Sequence, residues 1–137
     1  MKTNNTSDVL VIGGGPLGLA AAWQLSGKGA RVQVLEQFNF ANQLGSSAGV
    51  SRQFRIPYPQ SYMVRLVTQA VPLWEQLQTL TPRPLMTKVG TLWFGDPSVK
   101  STEGNIGEAE KALKAERVPY TSLTSAQIQA KYHFRDL

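Results

Sequence analysis

The segment DVLVIGGGPLGLAAAWQL, residues 8–25, decides the fold of this chain. It opens with a β-branched apolar run, residues 8–13, of the kind that forms buried strands in parallel sheets. After the glycines, apolar residues recur at helical spacing, Pro16 suits a first helical turn, and further glycines indicate the helix end. The pattern predicts a strand over 8–13 and a helix from about Pro16 to Ser26.

The next segment, ARVQVLEQF, predicts a second strand. It alternates the apolar residues Val32 and Val34 with polar ones, and it ends in an acid, Glu36. Strand, helix and strand together make one βαβ unit, so the predicted fold class is α/β with a Rossmann-like unit.

The glycines between the first strand and the helix predict a nucleotide site. Gly13, Gly15 and Gly18 have the spacing G-x-G-x-x-G, which permits a tight turn, close approach of a pyrophosphate, and close helix–strand packing. Glu36 follows Gly18 by 18 residues, where a carboxylate can accept both ribose hydroxyls of an adenosine. That charge would repel a 2′-phosphate and disfavours NADP, but FAD and NAD share the same ADP half and both remain open.

A long polar loop, residues 38–59, follows the second strand and is expected to carry function. We expect one helical turn in it, around Ser51–Phe54. In GSSAGVSRQFR, residues 45–55, the small residues allow a planar ligand to approach, and Arg52 and Arg55 would share one face of such a turn. Two arginines beside a cofactor can stabilise a reduced flavin or bind a substrate carboxylate; a solvated basic turn is the alternative.

The remaining chain carries further helix and strand patterns. Apolar residues at helical spacing predict an amphipathic helix over 61–80, which Pro72 must kink or split because it lacks an N–H. The segment KVGTLWFG, residues 88–95, is a predicted strand. Two more helices are predicted, one within 101–118 and one beginning at a capping box formed by Thr124 and Gln127.

The composition of the chain excludes several classes of protein. The chain has 137 residues, and its 14 basic against 9 acidic residues are dispersed, which argues against a nucleic-acid partner. It has no cysteine, so we expect neither disulfides nor thiolate chemistry, and a cytoplasmic location. No apolar run is long enough to span a membrane. His133, the only histidine, has no second ligand at suitable spacing, and we predict no metal site.

Five segments, in order, resemble the N-terminal third of the monomeric sarcosine oxidase and N-methyltryptophan oxidase family, in the D-amino-acid oxidase superfamily. They are residues 8–25, 34–38, 45–55, 71–78 and 88–95. The resemblance implies a two-domain flavoprotein that oxidises the C–N bond of an amino acid or secondary amine by hydride transfer to FAD. Hydrolysis of the imine and formation of hydrogen peroxide would follow.

The resemblance also implies a domain organisation. Residues 1–82 would be the FAD-binding portion, and 83–137 the beginning of a substrate-binding α+β domain. Members of the family are nearly three times as long, so we expect a fragment, or one subunit completed by a complementary polypeptide. Two other functions stay open: an FAD dehydrogenase with an acceptor other than oxygen, and a non-catalytic nucleotide-binding subunit.

The resemblance assigns roles to individual residues. The glycines would hold the FAD pyrophosphate and Glu36 the adenosine ribose, while the loop serines would line the flavin. Arg52 would lie against the flavin ring and Arg55 would bind the substrate carboxylate, and both are the expected catalytic residues. The complete set expected to bind the cofactor is Gly13, Gly15, Pro16, Leu17, Gly18, Glu36, Gln37, Ser46, Ser47, Ser51 and Arg52.

Overall fold

The computed structural model of this chain describes residues 6–99 and 104–135. The chain divides into two compact units, Met1–Gln53 and Phe54–Leu137. Within the described residues the elements are β1 (Val9–Ile12), α1 (Pro16–Gly27), β2 (Val32–Leu35), α2 (Ser61–Gln78), α3 (Ile106–Ala115) and α4 (Ser125–Tyr132). The predicted domain boundary at 82/83 concerns the complete protein and stays a prediction.

The first unit is the predicted βαβ unit. Strands β1 and β2 pair in parallel, with Val9 opposite Val32 and Ile12 opposite Leu35, and α1 connects them. Both strands alternate between half-buried and exposed residues, as expected when one face of a sheet is covered by a helix. The α/β fold class and the Rossmann-like unit are therefore confirmed.

Apolar surface is left uncovered on this unit. The Ile12 side chain is 84% exposed and that of Leu17 is 90% exposed. All the fully buried apolar side chains among the described residues lie in the second unit. Two parallel strands and one helix enclose too little volume to bury a core of their own.

The second unit has a small core between α2 and α3. Val64 of α2 is completely buried and packs with Ala112 and Leu113 of α3. The partly buried side chains of Ile56, Tyr58 and Val118 surround this cluster. The segment immediately before α2 is thereby held against the helices.

A bidentate ion pair joins α2 to the residue that ends α3. Arg65 donates from Nη2 to Oε1 of Glu116 at 2.7 Å and from Nε to Oε2 at 3.0 Å. These hydrogen bonds hold the pKa of Glu116 below its ordinary value of 4.5. Because the folded pKa is the lower one, the stabilisation is present above pH 4.5 and is lost as the pH falls through the folded value.

Glu116→Gln is therefore expected to lower the free energy of unfolding at neutral pH, and the variant should lose less of it than the wild type does when the pH falls below 4.5. The measurement is the free energy of unfolding in urea at neutral pH and below pH 4.5. Arg65→Met breaks the same pair from the other side and is expected to have the same effect on the pH dependence. If both variants lose as much free energy of unfolding in acid as the wild type does, this pair has no stabilising role.

Capping groups define the starts of α3 and α4. The Asn105 side chain accepts the Glu108 N–H at 2.8 Å, which caps α3. Thr124 accepts the Gln127 N–H at 3.3 Å, and the Gln127 side chain accepts the Thr124 N–H at 2.8 Å. The predicted capping box is confirmed.

Removing that box tests its contribution to stability. Thr124→Ala is expected to lower the free energy of unfolding by about 1 kcal/mol, because the Gln127 N–H loses its acceptor at the start of α4. Ser125→Ala removes a hydroxyl one residue later and is the matched control, with an expected change below about 0.5 kcal/mol. Equal losses in the two variants, measured by urea unfolding, would argue against the box.

Two predicted elements are wrong. Residues 88–95 form no strand, because a strand needs a hydrogen-bonded neighbour and the described residues pair only β1 with β2. No helical turn forms over residues 51–54, where the chain runs towards Pro57 and Pro59 in a conformation without regular structure. Side-chain hydrogen bonds to nearby backbone compete with a helical turn, and here Arg52 donates to the Ser51 and Ser46 carbonyls.

The predicted helices are observed with changed bounds. Helix α2 continues through Pro72 as one element, so the proline does not split it. Residues 101–103 of the predicted third helix lie outside the described residues, and α3 itself begins at Ile106. Among the described residues, none of the helices is both long and apolar enough to cross a membrane. The same residues contain no group of three or more side chains suited to hold a metal ion.

Candidate dinucleotide-binding site

The turn from β1 into α1 depends on glycine at two positions. Gly13 has φ +103°, a conformation that L-residues rarely adopt, and its N–H donates to the Leu35 carbonyl at 2.7 Å. A Cβ at Gly18 would lie 2.0 Å from the Gly13 carbonyl oxygen and 3.3 Å from Cγ1 of Val11. The first glycine therefore shapes the turn, and the third allows α1 to approach β1 closely.

The start of α1 is open towards its surroundings. Apart from its two chain neighbours, no heavy atom of the described residues lies within 4 Å of a Cβ built at Gly15, the N-cap residue. Gly15 makes no side-chain cap, Pro16 occupies the first turn, and that turn carries no acidic residue. The first amides of a helix lack intrahelical partners and carry positive partial charge, so this end favours an anion. Leu17, also expected to bind the cofactor, is exposed on the same turn.

Glu36 at the end of β2 is fixed against the glycine turn. Its Oε2 accepts the Gly14 N–H at 2.6 Å, and its Oε1 accepts the Phe38 N–H at 3.0 Å. The Asn42 amide also approaches Oε1, at 3.5 Å. The Phe38 and Gly14 amides hold the pKa of Glu36 below its ordinary value, so the carboxylate is ionised at neutral pH.

This carboxylate retains acceptor capacity. An ionised carboxylate offers about four lone-pair positions, whereas the three donors named above occupy one on Oε2 and two on Oε1. A ribose hydroxyl can therefore be accepted without displacing a protein donor. Gln37, the next residue and part of the predicted set, is exposed.

Sequence reasoning missed two residues of this site. Gly14 is buried and supplies the amide that fixes Glu36, and a Cβ there would lie 2.5 Å from the Phe40 ring. The run of three consecutive glycines, with Gly14 in the middle, was a signal for a close approach at this position. Asn42 had no signal, because only the tertiary structure brings it to Glu36.

The serine loop folds around the Arg52 guanidinium. Arg52 Nη1 donates to the Ser51 carbonyl at 2.7 Å and Nη2 to the Ser46 carbonyl at 3.4 Å. Gly49 has φ +116°, and a Cβ there would lie 2.9 Å from Arg52 Nη1. The predicted cofactor residues Ser46, Ser47 and Ser51 are exposed on this loop. Arg52 thus organises the backbone of the segment in which it lies.

Arg55 belongs to the second unit, whereas Arg52 belongs to the first. The expectation that both lie on one face of a helical turn is wrong, since no such turn forms. Arg55 lies over two aromatic rings, with Cζ 4.8 Å from the centroid of Tyr58 and 5.8 Å from that of Trp93.

A parallel βαβ unit with an open glycine turn, an uncapped helix start and an ionised acid at the end of β2 defines a dinucleotide-binding protein. The open space at Gly15 and the remaining acceptor position of Glu36 fit the ADP half of FAD. A family model described as FAD dependent oxidoreductase matches residues 8–136. The chain belongs to this family, whose cofactor is FAD.

Individual relatives confirm the resemblance to the sarcosine oxidase group. Monomeric sarcosine oxidase of Streptomyces avermitilis is 34% identical over 128 residues, covering 93% of this chain and 32% of its own. N-methyl-L-tryptophan oxidase of Yersinia pestis is 30% identical over 126 residues, covering 91% of this chain and 33% of its own.

A solved structure shows the same fold. It is a mutant of NikD, described as an unusual amino acid oxidase essential for nikkomycin biosynthesis, in an open form. It matches with a TM-score of 0.80 and 40% identity over 96% of this chain and 33% of its own. This chain therefore spans about a third of the length of these two relatives and of the NikD structure.

Proposed function

We propose that this chain forms the ADP-binding part of an FAD-dependent oxidase that acts on an amino acid or a secondary amine. The observation that carries the proposal is the Glu36 carboxylate, bound to the Gly14 amide at 2.6 Å beside the open start of α1. This arrangement presents an acceptor for a ribose hydroxyl next to amides for a pyrophosphate. The family and its amine-oxidising members support the same function.

In the proposed site, this chain's residues bind and orient the cofactor. The amides at the start of α1 would hold the pyrophosphate, and Glu36 the adenosine ribose. The exposed serine loop and Arg52 would contact the flavin portion, with the guanidinium supplying positive charge. The residues proposed to bind FAD are Gly13, Gly15, Pro16, Leu17, Gly18, Glu36, Gln37, Ser46, Ser47, Ser51 and Arg52.

The chemistry that bound FAD supplies is acceptance of a hydride from the carbon of the C–N bond, with the electrons passing on to oxygen as hydrogen peroxide. Arg55 of the second unit would bind the substrate carboxylate through its planar fork of N–H donors. The remaining two thirds of the fold would come from a further segment or a complementary polypeptide. The exposed apolar side chain of Ile12 supports such a covering surface. A cytoplasmic location stays a prediction.

The test is to purify the complete protein and measure its visible spectrum and its products with amines. We expect flavin absorbance and stoichiometric peroxide during amine oxidation. Amine-dependent reduction of a dye or quinone without peroxide would favour a dehydrogenase. A complete protein without flavin absorbance that binds ADP or NAD would favour a nucleotide-binding subunit and overturn the proposal.

Arg55 offers a test of carboxylate recognition. Arg55→Lys keeps the charge but removes the bidentate fork, so the KM for a carboxylate-bearing amine is expected to rise about tenfold. FAD content is expected to stay at its wild-type level. The matched control is Arg83→Lys, at an exposed position outside the predicted site. A wild-type enzyme with equal affinity for carboxylated and decarboxylated amines would contradict this role.

A further inference from the structure

The aromatic contacts of Arg55 carry an inference about how its guanidinium is oriented. Its Cζ lies 4.8 Å from the centroid of the Tyr58 ring and 5.8 Å from that of the Trp93 ring. Both distances are within the range of about 6 Å in which a cation over an aromatic face is attracted by it. Arg55, Tyr58 and Trp93 are all partly buried, which strengthens such contacts relative to fully exposed ones.

The Tyr58 ring is held in place by its own surroundings. It packs against the core cluster of Val64, Ala112 and Leu113. Tyr58 also lies between Pro57 and Pro59, whose φ angles are restricted by their rings. The ring is therefore anchored before any ligand binds.

Trp93 reaches Arg55 from the segment that forms no strand. Its ring lies on a stretch of irregular structure, residues 88–95, and contacts the guanidinium through the tertiary fold. Two rings from separate parts of the second unit thus approach one planar cation.

These contacts restrict the direction of the Arg55 donors. A guanidinium is planar and its five N–H groups point outward in that plane, whereas an aromatic ring attracts the cation through the ring face. An arginine already held by two rings loses less side-chain freedom on binding a carboxylate. We propose that Tyr58 and Trp93 are positioning residues that orient Arg55 for the substrate carboxylate; this rests on the role of Arg55 under the proposed function.

The experiment uses the FAD-loaded complete protein, with propionate as a simple carboxylate probe and the flavin absorbance as the signal. Tyr58→Leu and Trp93→Leu keep an apolar side chain, smaller than the ring, but remove the π face, and propionate is expected to bind about fivefold more weakly to each. Tyr58→Phe and Trp93→Phe retain a ring and are expected to stay within about twofold of wild type.

Two controls separate positioning from a general effect on the fold. Phe54, next to Arg55 in sequence, packs its ring edge-on against Trp74 at 6.4 Å, and Phe54→Leu is expected to leave propionate affinity unchanged. FAD affinity is expected to be the same in all these variants. In an Arg55→Lys background, the leucine substitutions are expected to change propionate affinity less than twofold, because the ammonium has no plane to orient.

The outcomes distinguish this inference from the proposed function. If Arg55→Lys weakens propionate binding and neither leucine variant does, positioning by the rings is overturned and the role of Arg55 stands. If Arg55→Lys itself binds propionate like wild type, the carboxylate role fails and the inference fails with it. If the leucine effects persist undiminished in the Arg55→Lys background, the rings act through packing alone, and the inference is overturned. Should Tyr58→Leu not fold, Trp93→Leu decides.

Discussion

Replacing Gly18 by alanine is expected to abolish FAD binding and to destabilise the first unit by about 1–3 kcal/mol. The new Cβ would lie 2.0 Å from the carbonyl oxygen of Gly13, a backbone atom that cannot move without opening the turn. Separating α1 from β1 would displace the amides at the start of the helix. Flavin fluorescence titration and urea unfolding of the complete protein measure the two effects.

A substitution at Gly15 tests cofactor binding with little disturbance of the packing between α1 and β1. Apart from its two chain neighbours, a Cβ at Gly15 meets no heavy atom of the described part of the chain within 4 Å, and the residue has φ −75°, which alanine readily adopts. Gly15→Ala is therefore expected to change the free energy of unfolding by less than about 1 kcal/mol. We expect FAD affinity to fall more than about 100-fold, since the methyl group would occupy the space proposed for the pyrophosphate.

Gly27 supplies the matched control on the same helix. Outside its chain neighbours and the backbone of α1 itself, a Cβ at Gly27 would also meet no heavy atom of the described residues within 4 Å, and alanine there is expected to stabilise α1 by up to about 1 kcal/mol with FAD affinity unchanged. If Gly15→Ala binds FAD as tightly as Gly27→Ala does, the pyrophosphate does not approach the backbone at Gly15. The proposed binding mode would then be wrong.

Replacing Glu36 by glutamine is expected to weaken FAD binding about 10- to 100-fold at neutral pH. The two carboxylate oxygens accept the Gly14 and Phe38 amides separately, at 2.6 and 3.0 Å. A glutamine offers one oxygen and one NH2 group, so one of those amides would face a donor. The ribose would also lose a charged acceptor. Glu75→Gln, on the exposed surface of α2, is the control for loss of a negative charge.

The pH dependence of FAD binding tests the same residue. The Phe38 and Gly14 amides lower the pKa of Glu36, so the carboxylate stays ionised through neutral pH and accepts a proton only as the pH falls through that lowered value. The wild-type protein is therefore expected to keep its FAD affinity at pH 4.5 or above and to lose it in stronger acid. Glu36→Gln should lack this acid limb. If the wild type and Glu36→Gln lose FAD affinity over the same range of acid pH, that loss is caused by another titrating group.

The local elements were predictable because their causes lie within a few residues. The β-branched run before Gly13 and the apolar spacing after Pro16 indicate β1 and α1 within one or two residues of their observed bounds. The capping box of α4 depends on two side chains three residues apart, Thr124 and Gln127, and was likewise predictable.

Other features depend on groups that are distant in sequence. A strand over residues 88–95 was a reasonable prediction from β propensity, but β structure also needs a partner. The expected turn around Arg52 failed because its guanidinium binds the Ser46 and Ser51 carbonyls instead of lying on a helical face. Side-chain hydrogen bonds to nearby backbone compete with regular structure in this way.

The amino-acid sequence by itself determined the βαβ unit, the glycine turn and the family, because these rest on spacing and on short-range conformational preference. Only the tertiary structure decided that Glu36 is held by the Gly14 amide and that Arg55 lies over Tyr58 and Trp93. The physical reason is that hydrogen bonds and cation–π contacts act over a few ångströms. Which groups come within that distance is settled by the packing of distant segments.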